Sequence, residues 1–183
     1  DSTNGRKTMS VVIHKNTFQK IASANTADYR DGNWWINAVE PNCEPKYWKN
    51  DNGTLAEMAA EEKATRDEYD LIAVKLERQA EVQAELKEYI HRAYSEDEQR
   101  DFLLLLWLAS EQGNQEAKGY IYPLIAWVQN GQTLMREAKN NIDAAATIQD
   151  AMNAGYDYEA FYMWHQTMPD VTTQQAGEIL NGA

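Results

Sequence analysis

Three histidines, one cysteine and 29 carboxylates are the side chains of this 183-residue chain that could do acid–base, nucleophilic or metal chemistry. His14 ends a β-branched run, His91 lies on the polar side of a long helical stretch, and His165 sits beside Trp164. None has a second His or Cys at ligand spacing, and neither HExxH nor HxH occurs, so the spacing supports no metal site. Cys43 lies between Pro41 and Pro45 without a nucleophile signature, and there is no GxSxG elbow. A hydrolytic site would have to be assembled in space, from His165 or His91 with a carboxylate or Cys43. The acid groups Glu61/Glu62 and Glu96/Asp97/Glu98 fall in first helical turns, where the helix dipole accounts for them without catalysis. "NGRKT" at residues 4–8 lacks the upstream glycine of a phosphate loop, and "NDNG" at 50–53 lacks the later acids of a calcium loop. The expectation is a protein without catalytic residues, metal or cofactor.

Aromatic side chains are the remaining candidates. Trp34, Trp35, Tyr47 and Trp48 crowd one short stretch, where rings stack on sugar, make a protein contact, or supply core. A module of about 40 residues has little else to bury, so core is favoured, with one ring of each pair outside. Tyr156, Tyr158, Phe161, Tyr162, Met163 and Trp164 form a second cluster, expected to dock the acidic C-terminal segment onto helices.

Lys+Arg 17 against Asp+Glu 29 gives a net charge of −12, a field that repels phosphate and excludes nucleic acid and anionic membrane surfaces as natural partners. No Lys or Arg follows Lys139. A single cysteine excludes an intrachain disulfide. The longest apolar run, Phe102 to Ala109, is far short of the ~20 residues of a membrane helix, so a soluble chain is expected. No apolar segment follows the N-terminus, and Met9 can serve as a natural start with residues 1–8 an extension.

The elements that would position these residues fall into a mainly α architecture: a long helix and an antiparallel helical hairpin or bundle of coiled-coil type, behind a small N-terminal β/loop module. Residues 10–53 read as short strands and loops, bounded by the turn dipeptides Asp31-Gly32 and Asn52-Gly53. Thr54–Glu57 matches a capping box opening the long helix. From Tyr69 a 3-4 spacing runs through Ile72, Leu76, Gln79, Gln83, Leu86, Ile90 and Ala93. Gln79 and Gln83 in middle layers would set register and oligomer number, with Leu76, Leu86 and Ile90 as apolar layers. Ser95–Glu98 is a second capping box, and the helix after it is apolar nearly all round, which predicts burial. Ile121, Leu124, Ile125 and Val128 begin a third helix that holds Pro123 in its first turns or at a kink. Asn130-Gly131 either interrupts it or lets Leu134, Met135, Ala138 and Ile142 continue the stripe. Residues 54–145 are thus expected to form the bundle and 146–183 an acidic helical segment, ending in a third capping box at Thr172–Gln175.

One stretch carries more than pattern. "WWINAVEPNCEPKYWKNDNGTLAEMAAEEKATRDEYD" resembles a segment of small tailed-bacteriophage virion proteins of fibre, tail or head-appendage type. The matching positions are Trp35-Ile36-Asn37, Lys46-Tyr47-Trp48-Lys49, Gly53, Glu57-Met58 and Glu61-Glu62-Lys63. Ala38-Val39-Glu40-Pro41 departs from the Pro-Asp-Leu-Ser order usual there. The resemblance implies a non-enzymatic structural component of a phage particle, assembled in the host cytoplasm. Its partners would be other virion proteins and copies of itself, as a trimer or higher homo-oligomer. It transfers no catalytic residues. The alternative is a host-surface glycan-binding module using exposed Trp and Tyr.

Overall fold

The computed structural model describes residues 10–166 and 173–181. It is mainly α with a small N-terminal β module, and the chain divides into two compact units, 1–69 and 70–183.

In the first unit, β1 (Ser10–His14) is the middle strand of a sheet ordered β2-β1-β3, with β2 (Lys20–Ala24) and β3 (Trp34–Ile36) both antiparallel to it. A second sheet is the hairpin of β4 (Trp48–Asp51) and β5 (Thr54–Glu57). Asn52 and Gly53 both take positive φ, 51° and 90°. Left-handed backbone at both central residues has the twist that joins antiparallel strands by a two-residue turn. The chain therefore returns as a strand, and Thr54–Glu57 is not the capping box its residue types suggest. Trp48 and Leu55 then share one face and close a core with Ile13 and Trp35. The Trp35 indole N–H donates to Gly53 O at 2.6 Å, tying the two sheets together.

The long helix α1 (Ala60–Ala93) starts after Ala59, whose N–H donates to Glu62 Oε2 at 2.6 Å. That is half a capping box: a Glu at the third position reaching back, with no hydroxyl at the cap to answer it. Its first turns are fastened within this unit by Lys49–Glu62 at 2.6 Å, Lys46–Asp67 at 2.7 Å, and the Lys63–Glu57 pair.

The second unit holds the rest of α1 with α2 (Glu96–Glu111), α3 (Gln115–Ala144), α4 (Ile148–Asn153), α5 (Tyr158–Gln166) and α6 (Thr173–Asn181). The Ser95–Glu98 box is present in both directions. Gly113 at φ 66° ends α2 and the Asn114 side chain caps α3. Pro123 lies inside α3, and Asn130-Gly131 does not interrupt it. Glycine at 131 is required by packing: a Cβ there would stand 2.6 Å from Phe161 Cζ and 2.9 Å from Leu86 Cδ1.

α1 and α3 run antiparallel: Lys75 Nζ donates to Asp143 O, Gln79 Nε2 to Asp143 Oδ1, Lys139 Nζ to Gln83 Oε1, and Leu86 lies against Gly131. Val82, Ile121, Trp127 and Ile142 are wholly buried at the centre. The Trp127 ring stacks on Phe161 at 4.6 Å and its N–H donates to Phe161 O, so α5 closes the core as the aromatic cluster suggested. The Thr172–Gln175 box has its cap outside the described residues.

Candidate functional site

The structure separates each aromatic pair of the first unit. Trp35 and Trp48 retain only 8% and 2% of their surface and belong to the core. Trp34 and Tyr47 point the other way and are half-buried. Alternation along a strand explains this for Trp34 and Trp35. The Trp34 ring is met edge-on by His14 at 4.8 Å and Tyr29 at 4.9 Å. Tyr47 donates its O–H to Asp67, which Lys46 also holds, and the Lys46 and Lys63 ammonium groups lie over its ring. Lys46 and Asp67 move each other's pKa apart through that hydrogen-bonded pair: Lys46 goes up and Asp67 goes down. This network pins the start of α1. Rings available to a sugar are therefore Trp34 and Tyr47, and Trp35 and Trp48 are withdrawn from any surface.

The histidines have local partners. His14 Nδ1 accepts from the N–H groups of Asn16 and Thr17, which shapes the turn after β1. His91 Nε2 lies 3.5 Å from Glu96, which also meets Lys87. His165 Nε2 and Tyr94 O–H are 2.9 Å apart, beside the Trp127 ring. Cys43 is half-buried in the first unit and its carbonyl accepts from the Trp48 indole. Among the described residues no group of three His, Cys, Asp or Glu could hold a metal ion. No described helix is long and apolar enough to cross a membrane.

The 3-4 seam of α1 is divided. Leu86 and Ile90 are buried in the chain's own core with Val82, which the seam did not include. Gln79 and Gln83 bond to Asp143 and Lys139 of α3 within the same chain. Tyr69, Ile72 and Leu76 stay exposed, Leu76 by 63%.

The strongest departure from expectation is α2. Phe102 and Ala109 face inward, but Leu103, Leu104 and Trp107 expose 59%, 54% and 58% of their surface. A helix apolar all round has more apolar surface than one neighbouring helix layer can cover, and here the excess faces water. Leu103 also borders a groove of about 300 Å³ floored by Phe102, Leu124 and Val128 and edged by Gln129 and Gln132. No charged side chain lines it. Large apolar groups gathered on one solvent face mark an interaction surface. Charge sum and periodicity gave no sign of this surface; the all-apolar pattern of residues 102–109 was its only signal.

The fold so described defines a helical bundle preceded in the chain by a small β module. Compared with known proteins, the chain matches no family model, and no curated protein or solved structure matches it.

Proposed function

We propose that this chain is a non-enzymatic structural component of a phage virion, of tail, fibre or head-appendage type, that works by self-association and attachment to other virion proteins. One observation carries the assembly part: the exposed apolar face of Leu103, Leu104 and Trp107 on a unit whose own core is already closed. Exposed Ile72 and Leu76 on α1 add to it. The virion part rests on the resemblance of the segment from Trp35 to Lys63, which runs from β3 through the β4–β5 hairpin into the first turn of α1.

Molar mass by light scattering and sedimentation, over a concentration series from low micromolar upward, tests the assembly. A reversible or stable oligomer is expected. A compact monomer at every concentration refutes it.

A further inference from the structure

We propose that Asn52, at the tip of the β4–β5 hairpin, is a site of spontaneous covalent modification. Its side chain closes on the Gly53 nitrogen, loses ammonia and reopens as aspartate or isoaspartate, which loosens the first unit. The site stands independently of the assembly reading above.

Asn52-Gly53 and Asn130-Gly131 are the Asn-Gly steps that lie wholly within the described residues. Glycine after asparagine matters because it brings no side chain against the ring that forms. In the first step the Gly53 nitrogen gives its proton to solvent base and bonds to Asn52 Cγ. The Cγ–Nδ2 bond breaks, and the amide nitrogen leaves as ammonia with a proton from water. Water then adds to one of the two carbonyls of the five-membered ring. Addition at Cγ gives aspartate, and addition at the main-chain carbonyl gives isoaspartate. The sum is one water taken up and one ammonia released, with nothing oxidised or reduced.

Backbone freedom decides between the two steps, because the asparagine must rotate until the next nitrogen reaches its Cγ. Asn130-Gly131 lies inside α3, with Gly131 against Phe161 and Leu86. Rotation there breaks helix hydrogen bonds and the core, so it waits on unfolding of the whole unit. Asn52 and Gly53 are both exposed, between the paired residues Asp51 and Thr54. Gly53 N–H donates to Asn50 Oδ1 at 2.9 Å and Asn52 Nδ2 to Asp51 Oδ1 at 3.1 Å, and both bonds face solvent. Asn52 sits at φ 51°, a backbone region that asparagine tolerates but glycine takes freely. Such a tip opens locally while the strands stay paired. Isoaspartate carries the main chain through Cβ and Cγ, which adds one carbon to the turn. Gly53 O is then displaced from the Trp35 indole, the bond at 2.6 Å that ties the two sheets together.

The folded full chain, held in mildly alkaline buffer and sampled over days, tests the proposal by tryptic mapping with fragmentation that separates isoaspartate from aspartate. Conversion should appear in the peptide from Asn50 to Lys63, at Asn52, and run at least ~10-fold faster than at Asn130. In the chain unfolded by urea the two sites should react at similar rates. Hydrogen exchange then reads the consequence. In the converted chain the Trp35 indole N–H should exchange at least ~10-fold faster, while the Trp127 indole N–H, bonded to Phe161 O, should not change. Asn52→Gly keeps a left-handed turn without the amide, so its Trp35 exchange should be the same before and after incubation. An Asn52 that converts no faster than Asn130 in the folded chain overturns the site. Conversion that leaves Trp35 exchange unchanged, or an Asn52→Gly chain that loosens as wild type does, overturns the effect on the first unit.

Discussion

Replacing Gly131 by alanine isolates one packing contact of the helical unit, with an internal control elsewhere on the same helix. Alanine in a helix interior is favoured over glycine by roughly 1 kcal/mol, because glycine loses more backbone freedom on folding. At Gly119 a Cβ would find nothing within 4 Å, so the full propensity gain should appear. At Gly131 the same Cβ would lie 2.6 Å from Phe161 Cζ and 2.9 Å from Leu86 Cδ1, both inside van der Waals contact. Neither neighbour is free to yield. Phe161 is buried with its ring stacked 4.6 Å from Trp127, and Leu86 is buried in the same cluster. Overpacking of this kind costs about 1–3 kcal/mol, so set against the propensity gain it leaves a net loss of up to roughly 2 kcal/mol. For a domain of this size each kcal/mol moves the melting temperature by ~2–4 °C. Thermal unfolding followed at 222 nm should therefore place Gly119→Ala above wild type and Gly131→Ala several degrees below it. Adding Phe161→Leu should make the Gly131→Ala cost less than additive, as expected when two residues share one contact. A Gly131→Ala melting temperature at or above that of wild type would refute the close approach of α1, α3 and α5 at this point.

Other outcomes follow from single atoms. Ser95→Ala removes a cap that accepts from Glu98 N–H and should cost ~1 kcal/mol in chemical denaturation, whereas Ala59→Ser supplies the missing hydroxyl of α1 and should stabilise by ~0.5–1 kcal/mol. The Glu98 carboxyl is held low by Ser95 N–H and O–H, so this cap is complete above the ordinary Glu range and is lost as pH falls through the depressed value; acid titration should weaken wild type more than Ser95→Ala. The Tyr156 O–H is buried with no hydrogen-bond partner among the described residues, so Tyr156→Phe should be neutral or stabilising by up to ~1 kcal/mol; Tyr158→Phe loses a bond to Val82 O and should cost about the same amount. Burial pushes both phenols up from their ordinary value, so their contribution is intact below pH ~10 and is lost above it. Phenolate absorbance should then rise together with loss of helix, and later in the double Phe variant. Trp48→Ala should unfold the first unit, since deleting a buried Trp costs about 3–5 kcal/mol, while Trp34→Ala should leave it folded and is the variant in which to measure glycan binding.

The features legible in the amino-acid order were those decided within a few residues. The Ser95 box, the Asn52-Gly53 turn and the helical stripe from Ile121 to Ile142 each rest on local spacing, and each appears where that spacing puts it. Thr54–Glu57 shows why a local rule can fail. Its Thr and Glu satisfy the capping pattern, but the two left-handed residues before it turn the chain back, and Leu55 gains burial beside Trp48 only as a strand. Tertiary packing overrode a cap worth ~1 kcal/mol with the burial of a whole Leu side chain. Gly131 failed in the opposite sense: Asn-Gly is a turn signal, yet here glycine serves close helix approach inside α3. Trp127, wholly buried at the centre, stood outside the stripe read from Leu124 and Val128 because one helix face widens when it meets two partners.

The seam of α1 is the same lesson applied to function. A 3-4 repeat from Tyr69 to Ala93 is compatible with pairing inside the chain or between chains, because both bury the same face. The structure splits it: near Val82, Leu86 and Ile90 the antiparallel α3 takes the face, and its last residue there is Asp143, which accepts from Lys75 and Gln79. Ile72 lies past that end, and Leu76, level with Asp143 between Lys75 and Gln79, also stays exposed. Part of the seam thus leaves apolar surface to solvent, and the same surplus recurs on α2 at Leu104 and Trp107, the kind of surface that marks an interaction site.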